Sequence, residues 1–222
     1  HFNLPIATMA DPILLDQYIL NHISPEDDFL KELDRETHLK VLRSRMLSGH
    51  LQGQILSMIS RMIRPKCILE IGTFTGYSAL CLAKGLAEDG QLYTIEIDDE
   101  LESIARKYFR KAGMADRIFQ HIGDAREIIL SIDRKFDLVF VDADKREYPD
   151  YYRLVFDHIP VGGFLLADNI LWNGKVVEPE SADEEQTRGI LEFNDLVQND
   201  PRVTNVILPV RDGIMLVQKV AE

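Results

Sequence analysis

The chain has 222 residues, 45% of them apolar, enough for one ordinary globular domain with a sizeable core. Its 25 Lys and Arg against 37 Asp and Glu leave a formal charge of −12, which disfavours a nucleic-acid binder, because contacts to phosphate supply most of such a protein's affinity. No apolar run reaches the roughly 20 residues of a membrane span, the start carries no basic-then-apolar leader with a small-residue cleavage site, and Cys67 and Cys81 sit singly in apolar runs. A reduced, cytoplasmic chain without a membrane segment is the expectation.

Residues 1–8 read as the remnant of an expression tag before Met9, and 9–222 as a single domain, with a helical region over 9–64 and an α/β core over 65–222. From Asp11 to Arg64 the apolar residues recur at helical spacing: Ile13, Leu14, Tyr18 and Ile19, then Leu30 and Leu33, then Leu51, Ile55, Met58, Ile59 and Met62. Ser24 followed by Pro25 predicts a helix start, with the serine as cap and the proline in the first helical position. Pro65 closes this region. After it, short apolar runs alternate with amphipathic stretches, predicting strands over 67–71, 91–97, 117–122, 136–142, 162–167, 203–209 and 213–219 and helices over 77–88, 99–112, 125–131, 147–158 and 184–199. Only Val210-Arg211-Asp212-Gly213 joins the last two strands. That link is too short for a parallel crossover, so a doubly wound sheet with one reversed strand is predicted.

In such sheets ligands bind beyond the carboxyl ends of the strands. The first such end runs Glu70-Ile71-Gly72-Thr73-Phe74-Thr75-Gly76-Tyr77-Ser78. A dinucleotide fingerprint would need glycine where Phe74 and Tyr77 stand, which disfavours a pyrophosphate clamp. A ligand with an amino acid at one end and a nucleoside at the other suits it better: Ser78 and the helix start for a carboxylate, Gly72 for close backbone approach, and Glu96, ending the second strand, for a ribose diol. Glu96 has a second reading as a helix-start acid before Asp98 and Asp99. Together these features favour S-adenosylmethionine over a nicotinamide dinucleotide.

Farther along, an apolar strand ends in Asp142-Ala143-Asp144-Lys145, and the next runs into Asp168-Asn169. Neighbouring parallel strands would bring Asp142, Asp168 and Asn169 together as an all-oxygen set suited to Mg²⁺ or Ca²⁺. The competing reading is that the two acids cap the turns that follow their strands. Lys145 would act as a base only if the cation and burial lowered its pKa. The six histidines make no metal-ligand spacing.

The segments Glu70 to Ser78, Val141 to Lys145, and Asp168-Asn169-Ile170-Leu171-Trp172-Asn173-Gly174 resemble the cation-dependent, S-adenosylmethionine-dependent O-methyltransferases of the caffeoyl-CoA and catechol type, from about Arg45 to the C-terminus. The resemblance implies a class I methyltransferase (Rossmann-like) fold, a seven-stranded α/β sheet, and a homodimer. It also implies that Ser48, Glu70, Gly72, Thr73, Ser78, Glu96, Ala125 and Asp144 contact S-adenosylmethionine. Asp142, Asp168 and Asn169 would bind a divalent cation, Mg²⁺ first with Ca²⁺ or Mn²⁺ as alternatives. Asn173 and Trp172 would lie near substrate, and Lys145 with Asp142 would form the catalytic centre, Lys145 as general base. Plant members carry Asp where this chain has Glu96, and neither the region before Arg45 nor the loop from Lys175 to Thr187 follows a pattern that carries over. The implied reaction is methyl transfer to a hydroxyl of a catechol-like small molecule such as caffeate or caffeoyl-CoA. Methylation of a hydroxylated uridine in tRNA would need a basic stripe, for which Arg43, Arg45, Arg61, Arg64 and Lys66 are the candidates. A nicotinamide-dependent oxidoreductase would need the broken glycine fingerprint, and a non-catalytic binding module leaves Asp142, Lys145, Asp168 and Asn169 unexplained.

Overall fold

The computed structural model describes residues 11–222; the expected tag remnant at 1–8 lies outside the described residues. Three helices come first: α1 (Pro12–Asn21), α2 (Asp28–Lys40) and α3 (Gly49–Ile63). Asp11 caps α1 by accepting from the Ile13 N–H at 2.9 Å. The helix start expected at Ser24 and Pro25 is corrected: that stretch is non-helical and α2 begins at Asp28 with Asp27 as its N-cap residue. Tertiary partners override the local signal here, since the Tyr77 hydroxyl donates to Glu26 and Lys84 pairs with Asp27 at 2.5 Å. Arg64 takes a left-handed conformation (φ 52°) and ends α3, consistent with the exclusion of helical backbone before Pro65.

The α/β portion follows as β1 (Cys67–Ile71), α4 (Tyr77–Ala83), β2 (Gln91–Glu96), α5 (Glu102–Lys111), β3 (Ile118–Ile122), α6 (Ala125–Ser131), β4 (Leu138–Val141), α7 (Tyr148–Phe156), β5 (Phe164–Asp168), α8 (Glu185–Gln198), β6 (Val203–Leu208) and β7 (Ile214–Lys219). The helix predicted to run to 88 stops at Ala83. Just beyond it Gly85 abuts α3, where a β-carbon would fall 2.2 Å from the Ser60 carbonyl carbon.

The strands form one sheet in the order β3-β2-β1-β4-β5-β7-β6. β3, β2, β1, β4 and β5 pair in parallel, and β7 runs antiparallel to both its neighbours; the short link into β7 accounts for its pairing with β6. The parallel strands are buried on both faces, so adjacent residues enter opposite cores. Leu69, Ile71, Val139 and Leu165 pack with Tyr148, Tyr152, Ile190 and Phe193 on one face. Ile68, Leu138, Phe140 and Leu166 pack with Leu30, Leu33, Leu56 and Tyr108 on the other. Among the described residues no helix is long and apolar enough to cross a membrane.

Two features of the sheet position the site. The chain winds outward in opposite directions from β1 and β4, which opens a crevice at their carboxyl ends. The registers Ile71 with Ile95, Ile71 with Val141, and Val141 with Ala167 then bring Gly72, Glu96, Asp142 and Asp168 to that one edge.

Candidate active site

The loop from β1 into α4 is drawn tight. Gly72 has φ 102°, and a β-carbon on it would lie 2.1 Å from the Asp142 carbonyl oxygen, so the ends of β1 and β4 can touch only through glycine. The Gly72 and Thr73 N–H groups both donate to the Ile95 carbonyl, at 2.9 and 3.2 Å. They are occupied within the protein, in keeping with a loop that does not clamp a pyrophosphate.

Beneath this loop Glu70 is fully buried. Its carboxyl accepts from Ser78 Oγ at 2.6 Å and from Thr94 Oγ1 at 2.5 Å. Thr94 Oγ1 also lies 2.5 Å from Thr73 Oγ1, so the two hydroxyls share a hydrogen bond. Burial pushes the Glu70 carboxyl up to about 8, against the pull of the two hydroxyls. Glu70, Thr73 and Ser78, all expected to contact the cofactor, are thus joined in one buried network.

Glu96 ends β2 and is 8% exposed. Oε2 accepts from the Phe74 N–H at 2.7 Å, and Oε1 from the N–H groups of Ile97 and Asp98 at 3.0 Å each. The helix-start role falls to Asp98, which accepts from the Glu100 N–H at 3.0 Å. Glu96 is therefore a fixed carboxylate at the crevice edge, raised by burial and held back by its backbone donors. Ala125 opens α6 and is buried, with Asp124 capping the helix ahead of it. Asp144 accepts from the Arg146 N–H at 3.0 Å, and the Arg146 guanidinium beside it holds its carboxyl below the usual range.

The second half of the site lies on β4 and β5. Asp142 follows β4, Asp168 ends β5, and Asn169 comes next in a left-handed conformation (φ 59°). Lys145 is buried, and its Nζ donates to Asp142 Oδ1 and to the Tyr148 hydroxyl, each at 2.7 Å. That hydroxyl lies 3.1 Å from the Val141 carbonyl and 3.0 Å from the Asp168 carbonyl, so one phenol ties Lys145 to the ends of both strands. Helix α8 presses on the same turn at Gly189, where a β-carbon would fall 2.3 Å from the Lys145 carbonyl oxygen.

Asp168 is 3% exposed. Burial, then the charge of Asp142, pushes its carboxyl up to about 6. Among the described residues no three His, Cys, Asp or Glu side chains converge as a metal site, so a cation here would need the Asn169 amide and outside oxygens. The donors fit such an ion: they are all hard oxygens, and two carboxylates repel where a divalent charge would relieve them.

Trp172 and Asn173 lie in the loop after β5 with φ 48° and 53°. The Asn173 N–H donates to Asp212 Oδ1 at 2.6 Å and the Leu171 N–H to the Asp212 carbonyl at 3.0 Å, which fastens the loop to the β6–β7 hairpin. Between them opens a cavity of about 630 Å³, lined by Asn169, Leu171, Asn173, Val176, Val177 and Arg211 among others.

Sequence reasoning missed Gln52, Thr94, Tyr148 and the side-chain role of Arg211. The signal available was polarity out of place: Gln52 stands on the α3 stripe that includes Leu56 and Ile59, and Thr94 interrupts an apolar strand, yet both are buried.

Comparison with known proteins agrees with this fold. A model of the O-methyltransferase family matches residues 21–220. The caffeoyl-CoA O-methyltransferase of Eucalyptus gunnii is 38% identical over 218 residues, covering 93% of this chain and 87% of its own. Among solved structures, an O-methyltransferase from Bacillus cereus in complex with S-adenosylhomocysteine aligns with a TM-score of 0.84 at 29% identity over 93% of this chain and 97% of that one. TomG of Streptomyces achromogenes, solved with S-adenosylmethionine, aligns with a TM-score of 0.87 at 28% identity over 94% and 96%. The chain therefore belongs to the O-methyltransferase family, with its class I Rossmann-like fold, and is an S-adenosylmethionine-dependent O-methyltransferase.

Proposed function

We propose that the acceptor is a catechol-like small molecule, in the manner of caffeate or caffeoyl-CoA, and that transfer depends on a divalent cation held by Asp142, Asp168 and Asn169. The observation that carries this reading is the pair of carboxylates on adjacent strand ends, with the Asn169 amide beside them and Lys145 buried between β4 and α7. The caffeoyl-CoA name of the Eucalyptus relative supports the acceptor class.

In this reading Glu96 accepts from the ribose diol, and Ser78, anchored by Glu70, meets the amino-acid end of the methyl donor. The cavity lined by Asn173 takes the acceptor ring; Trp172, expected beside it, packs against the core instead. A bound cation, Mg²⁺ first, supplies Lewis-acid polarisation of the acceptor hydroxyl. Lys145 Nζ, steered by Asp142 and Tyr148, takes the proton leaving that hydroxyl only as a neutral amine, its own proton having first gone to solvent; as an ammonium it screens the negative charge left on the oxygen. The oxygen then displaces the methyl group from sulfur in line, leaving S-adenosylhomocysteine, with orientation of the two reactants as the main contribution. The reading includes a homodimer, which the exposed Ile13, Leu14 and Tyr18 of α1 support; light scattering should then report twice the mass of one chain.

The test is methyl transfer from labelled S-adenosylmethionine to catechol, caffeate and caffeoyl-CoA, each with Mg²⁺ and with excess EDTA. EDTA-sensitive product is expected. Product that forms equally well in EDTA would remove the cation from the mechanism, and no product from any of the three would remove the catechol class.

A further inference from the structure

One buried side chain at the carboxylate edge has no part in the chemistry above. Gln52 projects from α3 and is 1% exposed. Its Nε2 donates to Asp168 Oδ2 at 2.5 Å, and its Oε1 accepts from Arg211 Nη1 at 3.0 Å. The same guanidinium nitrogen donates to the Ser48 carbonyl at the start of α3.

The two ends of a glutamine amide are nearly equal in shape, so their orientation is set by partners. A guanidinium offers donors only. The end that meets Arg211 must therefore be the carbonyl, which leaves the NH₂ facing Asp168. Asp168 Oδ1 meanwhile accepts from the Asn169 N–H at 2.8 Å. Each oxygen of this carboxylate thus has one donor fixed by the protein, and the rotamer is held from both sides.

Asp142 is held differently. Asp142 is steered by an ammonium, Lys145, which offsets its charge. Asp168 is steered by a neutral amide, which orients the carboxylate while leaving its negative charge for a cation.

We propose that Gln52 is a positioning residue for the cation ligand Asp168, and that Arg211 fixes which end of Gln52 does the positioning. The N-terminal helical region and the β6–β7 hairpin would then jointly set cation affinity. This inference rests on the cation reading above.

The test is Mn²⁺ binding, followed by the electron paramagnetic resonance of free Mn²⁺, with S-adenosylhomocysteine affinity and melting temperature measured alongside on the full chain. Wild type, Asp168→Ala, Gln52→Leu and Arg211→Met are compared. Asp168→Ala should abolish binding. Gln52→Leu should weaken it by about 10–100-fold, the usual effect of removing a partner that orients a metal ligand, with S-adenosylhomocysteine affinity unchanged, and Arg211→Met should weaken Mn²⁺ binding less. Wild-type Mn²⁺ affinity in both Gln52→Leu and Arg211→Met, with Asp168→Ala still losing the ion, would overturn the role of Gln52 and leave the cation reading standing. Undiminished binding in Asp168→Ala would sink the cation reading and the inference with it. Should Gln52→Leu fail to fold, the exposed Arg211 decides alone: unchanged affinity in Arg211→Met overturns the proposal. Parallel loss of Mn²⁺ and S-adenosylhomocysteine affinity with a lowered melting temperature would mark a purely structural contact and also overturn it.

Discussion

The two halves of the carboxylate edge handle acids in opposite ways. At the end of β1 and β2, Glu70 and Glu96 are met by hydroxyls and backbone N–H groups, and among the described residues no cationic side chain bonds to either. At the end of β4 and β5, two carboxylates stand close enough for the charge of one to raise the other, with a single lysine and one amide between them. The first arrangement is complete within the protein and makes a rigid template. The second is left short of positive charge, which is what a site for a hard cation requires. Two families of measurements should therefore separate cleanly, one reporting cofactor binding and the other reporting the ion.

The largest effect falls on the second half. Asp142→Ala should abolish Mg²⁺-stimulated turnover while calorimetry still detects S-adenosylmethionine, and an active Asp142→Ala enzyme would break the division of labour. Next in size, Lys145→Ala should lower kcat by about 10²–10⁴-fold if its Nζ handles the proton, read by steady-state kinetics at saturating methyl donor. Glu96→Ala tests the first half. Loss of charged hydrogen bonds worth about 1.5–3 kcal/mol should weaken S-adenosylmethionine by roughly 10–100-fold, with Mn²⁺ binding intact.

A separate effect, on stability rather than on turnover or binding, is a pH slope at Glu70. Unfolded, this carboxyl ionises near 4.5; folded, it does so near 8. Between those values the folded state holds a proton that the unfolded state has lost, so its contribution to stability falls as pH rises from 4.5 to 8 and levels off above. Glu70→Gln should remove that slope from the melting temperature. An unchanged slope would mean that the hydroxyls keep Glu70 ionised, and the contrast between the halves would shrink.

Much of the first half was legible from the chain alone. Gly72 and the acids lie at the ends of strands marked by apolar runs, Ser78 stands in the first turn of the helix after β1, and the link from Val210 to Gly213 dictated the reversed strand by its length. The carboxylate pair was legible for the same reason, since strand ends are local features and parallel neighbours share a level. The helix start at Ser24 was misread because Glu26 and Asp27 bond to Tyr77 and Lys84, which no local pattern announces. Gln52 shows the limit most clearly: it meets Asp168 across 116 positions and Arg211 across 159.

Periodicity, turn length and residue chemistry act over a few neighbours, so the sequence by itself determined the strands, the hairpin and which acids reach the ligand edge. The order of the strands, the burial that raises Glu70 and Asp168, and the direction in which Gln52 points were decided only by the tertiary structure. Those properties depend on what surrounds a side chain in space, and α3, β5 and the β6–β7 hairpin become neighbours only when the chain has folded.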